Sequence, residues 1–449
     1  MAALVGAELM NGLNEKQFAV IRTLLDSAPD AAVRKLNQAL AAETSLGPMG
    51  AIRKMVREEA AERRARQLVF EPILRLCSPA AHFDHQSFPA RAPNLLWKAL
   101  KVDYPEAFAA ALAAAEAWRN HDSDTAAFDT LCETAAAALS AASPDFVPTL
   151  EVLGDRAERF IQYLEITPLA RRTLHQLPEW LNRMTDERAA SARLAFRDAG
   201  EISPDGGPQL LELVLSHLAE PWQILRLIAA IMVRASDNFV ADSELSPFGE
   251  RLLSHIDVQL DRIRSFDPAG GAPEGRAAAE AARIAVLAMS EFEQTLELNR
   301  EGPWGARVAR QRRDLAQVIE ARLAKIDDAV AAALPLKPVK YGGRVVRGEP
   351  RLSADPDERA VAKAEGLLAF LHDTNTSAST GGYASVRGKV IEKIEDRLAN
   401  YTDDLIEHLR DPQCEDRERS RVFLELGARF IAYARDEKAA QIIRRRAAA

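Results

Sequence analysis

The side chains best suited to chemistry are concentrated in one proline-punctuated stretch, LCSPAAHFDHQSFPARAP, at residues 76–93. It contains Cys77, His82, Asp84 and His85. A four-coordinate zinc site needs about four nitrogen, sulfur or oxygen donors, and structural sites usually supply them as two closely spaced pairs. No second Cys or His pair lies nearby in the sequence. We therefore interpret this stretch as the connection between two helices.

Two further donors, His121 and Cys132, complete a metal site only if the fold brings them to His82 and His85. His121 is followed by Asp122 in RNHDSDT, a stretch typical of turns and helix caps. The sequence predicts no metal ligand, no cofactor and no catalytic residue. It leaves open whether His82, His85, His121 and Asp122 converge in space.

A second His-Asp pair, His372 and Asp373, lies in LLAFLHDTN. This stretch resembles the helix that carries the central dyad of HD-type metal-dependent phosphohydrolases. The resemblance implies an all-α enzyme in which a separated histidine, the His-Asp pair and a later aspartate bind the metal. This chain departs from that pattern, because the nearest earlier histidine is His255, more than 100 residues upstream. Such a hydrolase is kept as an alternative hypothesis.

Composition and charge narrow the classes of function. The 449 residues are 47% hydrophobic and 28% charged, which suits two or three globular domains or one helical array. A formal net charge of -8 disfavours nucleic acid and anionic membranes as partners. Three widely separated cysteines give no disulfide framework. We predict a cytoplasmic protein without a signal peptide or a membrane-spanning helix.

Apolar residues recur at spacings of three and four over most of the chain, which is typical of amphipathic helices. Period-two strand patterns are nearly absent, and no repeat with fixed signature residues is found. We predict an all-α fold of stacked helical hairpins, arranged as an irregular bundle or a solenoid. The clearest apolar stripe comprises Val390, Ile391, Ile394, Leu398, Tyr401, Leu405, Ile406 and Leu409.

The strongest interruption of the helical pattern is PLKPVKYGGRVVRGEPRLSADPD, residues 335–357, which holds four prolines and a Gly-Gly pair. We predict that this segment is a linker or hairpin between two helical domains, 1–334 and 358–449. The first domain has a possible subdivision near 78–94. The stretch VKYGGRVV predicts at most one short β-hairpin near 339–346.

The same interruption is basic, because five cations face only Glu349 between residues 337 and 351. A basic hairpin on an acidic protein would meet an anionic partner first. We predict a non-enzymatic intracellular scaffold or adaptor whose partner is another protein, and a nucleic-acid accessory protein is a further alternative. The oligomeric state is left open. The predicted contacts to the anionic partner are Lys337, Lys340, Arg344, Arg347 and Arg351.

Overall fold

A computed structural model shows α-helices along nearly all of its described residues, together with one two-stranded antiparallel sheet. The prediction of an all-α fold with one short β-hairpin is confirmed. Within the described residues every helix is too short or too polar to cross a bilayer. The chain divides into two compact units, Met1–Ile231 and Met232–Ala449. The structure describes residues 14–42, 47–77, 88–119, 124–232, 234–341, 345–412 and 416–448.

The first unit is a stack of helices around a core rich in Leu, Ala and aromatic side chains. Rings pack edge to face within it, as Phe70 does against Trp97 and Phe88 against Phe160. Its helices are α1 Glu15–Ser27, α2 Asp30–Ala39, α3 Pro48–Leu74, α4 Ala92–Asp103, α5 Pro105–Ala117, α6 Ala126–Ser140, α7 Val147–Leu153, α8 Ala157–Asn182, α9 Asp186–Ile202, α10 Gly206–His217 and α11 Ile224–Ile231.

Helix α3 packs against α2, α5, α6 and α8 and contains Pro72. Proline has no backbone N–H, so the carbonyl of Leu68, four residues earlier, loses its helical partner. Arg171 of α8 donates hydrogen bonds to the carbonyl oxygens of Leu68 and Val69 and to the carboxylate of Asp129 on α6. Arg171 is only 7% exposed. One buried guanidinium thus joins three helices.

A second buried arginine holds the amino-terminal helices. Arg63 of α3 is 7% exposed. It donates to the carbonyl oxygens of Leu25 and Ala28 at the end of α1, at 2.6 Å each, and to Asp30 on α2 at 2.8 Å. The carbonyl of Leu25 also accepts from the backbone N–H of Ala28, at 3.2 Å, whereas that of Ala28 lies past the last turn of α1. Arg63 therefore caps the carboxyl terminus of this helix.

The second unit contains the remaining helices and the hairpin. A bridge between Ser236 and Glu297 joins two of its loops. Its elements are α12 Asp237–Ala241, α13 Ser246–Ser265, α14 Ala272–Thr295, α15 Pro303–Leu323, α16 Ile326–Ala333, β1 Leu336–Tyr341, β2 Val345–Pro350, α17 Glu358–Asp373, α18 Asn375–Gly381, α19 Ala384–Arg410, α20 Arg417–Ala434 and α21 Glu437–Ala448.

Residues 335–357, expected to separate two domains, lie inside the second unit. The strands pair from Leu336 with Pro350 to Tyr341 with Val345. Helix α16 before the hairpin and α17 after it pack against each other, and α14 packs along α17. Prolines and glycines interrupt the helical pattern in the same way at a hairpin as at a domain boundary, so this pattern alone does not distinguish the two. The structure divides the chain at a different place, after Ile231.

Helices α14 and α17 approach closely because each has a glycine where they meet. A Cβ atom at Gly275 would lie 2.0 Å from the carbonyl oxygen of Gly366, and a Cβ at Gly366 would lie 2.4 Å from that of Pro268. No larger side chain fits at either position without a shift of the backbone. This contact brings residues 276–283 of α14 alongside the end of α17.

Helix α15 receives its amino-terminal cap from a residue distant in sequence. Asp237, which is 1% exposed, accepts hydrogen bonds from the backbone N–H groups of Trp304 and Gly305, at 3.1 Å each. A carboxylate is favourable at this end of a helix, where backbone donors lack partners. A Cβ at Gly302 would lie 2.0 Å from Oδ2 of Asp237, so glycine leaves room for the cap.

Candidate functional site

A cavity of about 560 Å³ in the second unit is lined by four arginines, and we call it the arginine cavity. Its walls come from α14, the end of α17, the start of α18 and of α19, and the end of α20. The packing of α14 on α17 therefore creates it from residues far apart in sequence. Its charged and polar lining consists of Arg276, Glu280, Arg283, His372, Asp373, Asn375, Thr376, Arg387 and Arg435.

One of the four arginines is neutralised within its own helix. Arg283 donates two hydrogen bonds to Glu280, at 2.7 and 2.8 Å. These bonds lower the pKa of Glu280 below its ordinary value. In contrast, Arg276, Arg387 and Arg435 have no carboxylate within ion-pair distance among the described residues. Within the described residues, three guanidinium groups thus border this cavity without forming an ion pair.

Arg387 is half-buried at the start of α19. Its Nε donates to the carbonyl oxygen of Leu371 at 2.9 Å, and this contact fixes the guanidinium at the cavity wall. Burial lowers the pKa of Arg387, although an arginine stays protonated in proteins. Its other guanidinium N–H groups have no hydrogen-bond acceptor in the described part of the chain. A partly buried cation that forms no ion pair is costly, and an anion in the cavity would offset that cost.

The His-Asp pair singled out from the sequence ends α17 and lines the same cavity. Nδ1 of His372 lies 2.9 Å from the carbonyl oxygen of Tyr433. A carbonyl oxygen only accepts, so Nδ1 carries the proton and Nε2 is the acceptor in the neutral ring. No group of three or more His, Cys, Asp and Glu residues is placed to hold a metal ion in the described ranges.

A buried tyrosine fixes α18 against the unit. Tyr383 is 0% exposed, and its hydroxyl lies 2.5 Å from Oγ of Ser377. Burial raises the pKa of Tyr383 above its ordinary value. A Cβ at Gly381 would lie 2.3 Å from the tyrosine ring, so this glycine makes room for it. Asn375 and Thr376, at the start of α18, are thereby held at the cavity.

The basic hairpin predicted to contact an anion lies elsewhere in the second unit. Lys337 pairs with Glu349 across the strands, with Nζ and Oε2 3.9 Å apart. Lys337 and the exposed Arg351 line a groove of about 920 Å³. The charges of Lys337 and Arg351 are offset there by acidic residues of the same groove, namely Glu349, Asp404, Glu407, Asp411 and Asp416.

For three of the five predicted contacts, the structure does not describe the side chain. Arg344 lies outside the described residues, and the side chains of Lys340 and Arg347 lie outside them as well. Their backbones place Lys340 opposite Val346 and Arg347 opposite Val339 in the hairpin register. Their role as anion contacts stays a prediction.

The thiols of the first unit are buried and unreactive. Burial raises the pKa of Cys77 and of Cys132 to about 12, so neither forms a thiolate near neutral pH. The Sγ of Cys132 lies 3.3 Å from the carbonyl oxygen of Val69, to which it donates. The other residues considered for a metal site, His82, Asp84, His85, His121 and Asp122, lie outside the described residues.

Comparison of this chain with protein-family models, curated proteins and solved structures gives no match.

The sequence singled out two residues of the arginine cavity, His372 and Asp373, but not the arginines around them. Arg276 and Arg283 share a face of α14 at a spacing of seven, which is the one local signal. Arg387 and Arg435 join them only through the fold.

Proposed function

We propose that this chain is a non-enzymatic intracellular adaptor that binds an anionic group of a partner protein in the arginine cavity. The observation that carries this proposal is that Arg276, Arg387 and Arg435 border one cavity and form no ion pair among the described residues. A cytoplasmic location and a protein partner are parts of the proposal. They are supported by the cysteine content and by the acidic net charge, which disfavours a nucleic acid.

The chemistry of the cavity favours binding over catalysis. A general base or nucleophile usually lies in a cleft with a pKa moved toward neutrality. Glu280 in the cavity has a lowered pKa, which makes it a weaker base. Among the described residues, the pKa values raised most by burial belong to Cys77, Cys132 and Tyr401, and none of these lines the cavity.

The size and donor geometry of the cavity suit a protein side chain together with its neighbouring backbone. Guanidinium groups bind carboxylates and phosphates through two parallel hydrogen bonds. The cavity volume of about 560 Å³ falls within the range of roughly 300–1,000 Å³ that is common for ligand sites. Thr376 and Asn375 add neutral donors beside the arginines.

Binding of a fluorescein-labelled polyglutamate peptide, followed by fluorescence anisotropy, tests this proposal. Changing Arg276 and Arg435 together to Gln should weaken binding by about tenfold or more, because two of the arginines that pair with the anionic group are lost. The control changes Arg310 and Arg313 to Gln; both are exposed on α15 and do not line the cavity. This control removes the same charge and should weaken binding less than about twofold.

Equal weakening by the cavity variant and the control variant would mean that the peptide senses only overall charge. Unchanged binding in the cavity variant would mean that the peptide binds elsewhere. Either result would overturn the proposal. Added salt should weaken the specific binding as well, since the contacts are ionic.

A second candidate, a metal-dependent phosphohydrolase, is favoured by the position of His372 and Asp373 beside arginines that suit a phosphate. Elemental analysis and hydrolysis of p-nitrophenyl phosphate with added Mn²⁺ test it. Stoichiometric metal or phosphate release that is lost on changing His372 to Ala would favour the hydrolase over the adaptor. Retention of that activity in His372→Ala would exclude this pair as its centre.

A further inference from the structure

We propose that the anion held in the arginine cavity is a phosphate monoester, carried as phosphoserine or phosphothreonine on the partner protein. This inference rests on the proposed function and narrows its ligand class. It follows from the charge of the cavity, from the number of its free donors and from the one carboxylate that has no arginine partner.

The charge of the cavity matches a dianion. Four arginines and two carboxylates line it, which leaves two positive charges uncompensated when His372 is neutral. A glutamate or aspartate side chain would supply only one negative charge. A phosphate monoester carries about 1.5 to 2 negative charges at pH 7. The phosphate therefore brings the cavity close to neutrality.

The donors of the cavity outnumber the acceptor sites of a carboxylate. Arg276 and Arg435 each offer a planar fork of N–H groups, and Arg387 has guanidinium N–H groups left after its bond to Leu371. The hydroxyl of Thr376 adds a further donor without a partner among the described residues. Three phosphate oxygens, each a strong acceptor, can use these donors together.

The carboxylate of Asp373 points to a polypeptide as the carrier. Asp373 lines the cavity and forms no ion pair among the described residues. It repels an anion, but it accepts hydrogen bonds from donors next to the phosphate. A peptide backbone supplies such N–H groups on either side of a phosphorylated side chain, whereas inorganic phosphate does not.

The test compares three fluorescein-labelled peptide libraries with random flanking residues and a fixed central phosphoserine, glutamate or serine. Anisotropy should show the phosphoserine library binding about tenfold tighter than the glutamate library, with little binding of the serine library. Arg276→Gln with Arg435→Gln should remove the preference, and Arg310→Gln with Arg313→Gln should keep it. Circular dichroism confirms that each variant is folded.

The outcomes separate this inference from the proposed function. Equal binding of the phosphoserine and glutamate libraries, with both lost in the cavity variant, would overturn the phosphate assignment and leave the adaptor proposal intact. Binding of neither library, together with no effect of the cavity variant on polyglutamate, would overturn both.

Competition on the unmodified protein needs no variant. The phosphoserine library, unlabelled, should displace the labelled one at concentrations about tenfold lower than inorganic phosphate or glycerol phosphate requires. Displacement at equal concentrations would show that the cavity recognises phosphate alone. The polypeptide part of the inference would then be overturned.

Discussion

The buried arginines of the first unit and the cavity arginines of the second unit are used in opposite ways. Arg63 and Arg171 are each 7% exposed and donate to backbone carbonyls and a carboxylate. Arg276 and Arg435 are exposed at the cavity and have no such acceptor among the described residues. The acceptors around an arginine, and not its residue type, therefore decide whether it stabilises the fold or is available to a ligand.

The two sets of arginines should also differ in how much their substitution destabilises the protein. Removing one partner of a buried ion pair leaves the other charge without compensation and typically costs about 3–5 kcal/mol. An exposed arginine contributes between about 0 and 1 kcal/mol. Substitutions in the two sets should therefore affect stability in the first unit and binding in the second.

The largest expected loss of stability is that of Arg171→Met. This substitution nearly keeps the volume of the side chain but removes its hydrogen-bond donors. The carbonyl of Leu68 then has neither a helical donor nor a substitute, and Asp129 is left without its partner. The free energy of unfolding should fall by about 3–5 kcal/mol. Urea unfolding followed by tryptophan fluorescence measures this, because four of the five tryptophans lie in the first unit.

The matched control is Arg172→Met, the neighbouring residue on α8, which is exposed. It should change the free energy of unfolding by less than about 0.5 kcal/mol. Equal destabilisation by both substitutions would show that the hydrogen bonds of Arg171 are not the cause.

The next largest effect on stability is expected at Asp237, a buried acid of the second unit. Asp237→Ala removes both acceptors from the N–H groups of Trp304 and Gly305 and should lower the free energy of unfolding by about 1–2 kcal/mol. Amide hydrogen exchange at these two residues should speed up, since N–H groups in the first turn have no helical acceptor. The exposed Asp242→Ala serves as the control. Unchanged exchange at both amides would rule out the cap.

Local patterns in the sequence predicted the local parts of this fold. The apolar stripe that includes Leu398, Tyr401 and Leu405 is buried along one face of α19. The Gly-Gly signal at VKYGGRVV predicted the hairpin formed by β1 and β2. These features depend on backbone preference and side-chain spacing within a few turns, and both can be read directly from neighbouring residues.

Contacts between distant residues could not be predicted in this way. The arginine cavity depends on α14 meeting α17 at Gly275 and Gly366, and neither glycine carries a local signal of a helix contact. The same helix contact places residues 335–357 within one unit. Of the residues that line the cavity, the sequence analysis singled out only His372 and Asp373, and it did so because their stretch resembles a metal-binding helix.

A smaller effect concerns His217, whose Nε2 lies 3.1 Å from the carbonyl oxygen of Pro72 on the helix that Arg171 supports. Burial lowers the pKa of His217 below its ordinary value. The unfolded chain therefore takes up a proton first as the pH falls, so this residue's contribution to stability is present above about pH 6.5 and is lost below it. His217→Gln should reduce the loss of stability between pH 7.5 and 5.5 by about 1 kcal/mol or less. Identical pH profiles of urea unfolding in the variant and the parent would contradict this.

The smallest expected effect on stability is at the arginine cavity itself. Changing Arg276 and Arg435 together to Gln removes two like charges that have no partner, so the free energy of unfolding should change by less than about 0.5 kcal/mol or rise slightly. Urea unfolding followed by circular dichroism measures this in the same protein that is used for peptide binding. A loss comparable to that of Arg171→Met would mean that these arginines support the fold, and the contrast between the two sets would fail. If stability is unchanged and peptide binding is lost, these two arginines serve to bind the ligand and not to stabilise the fold.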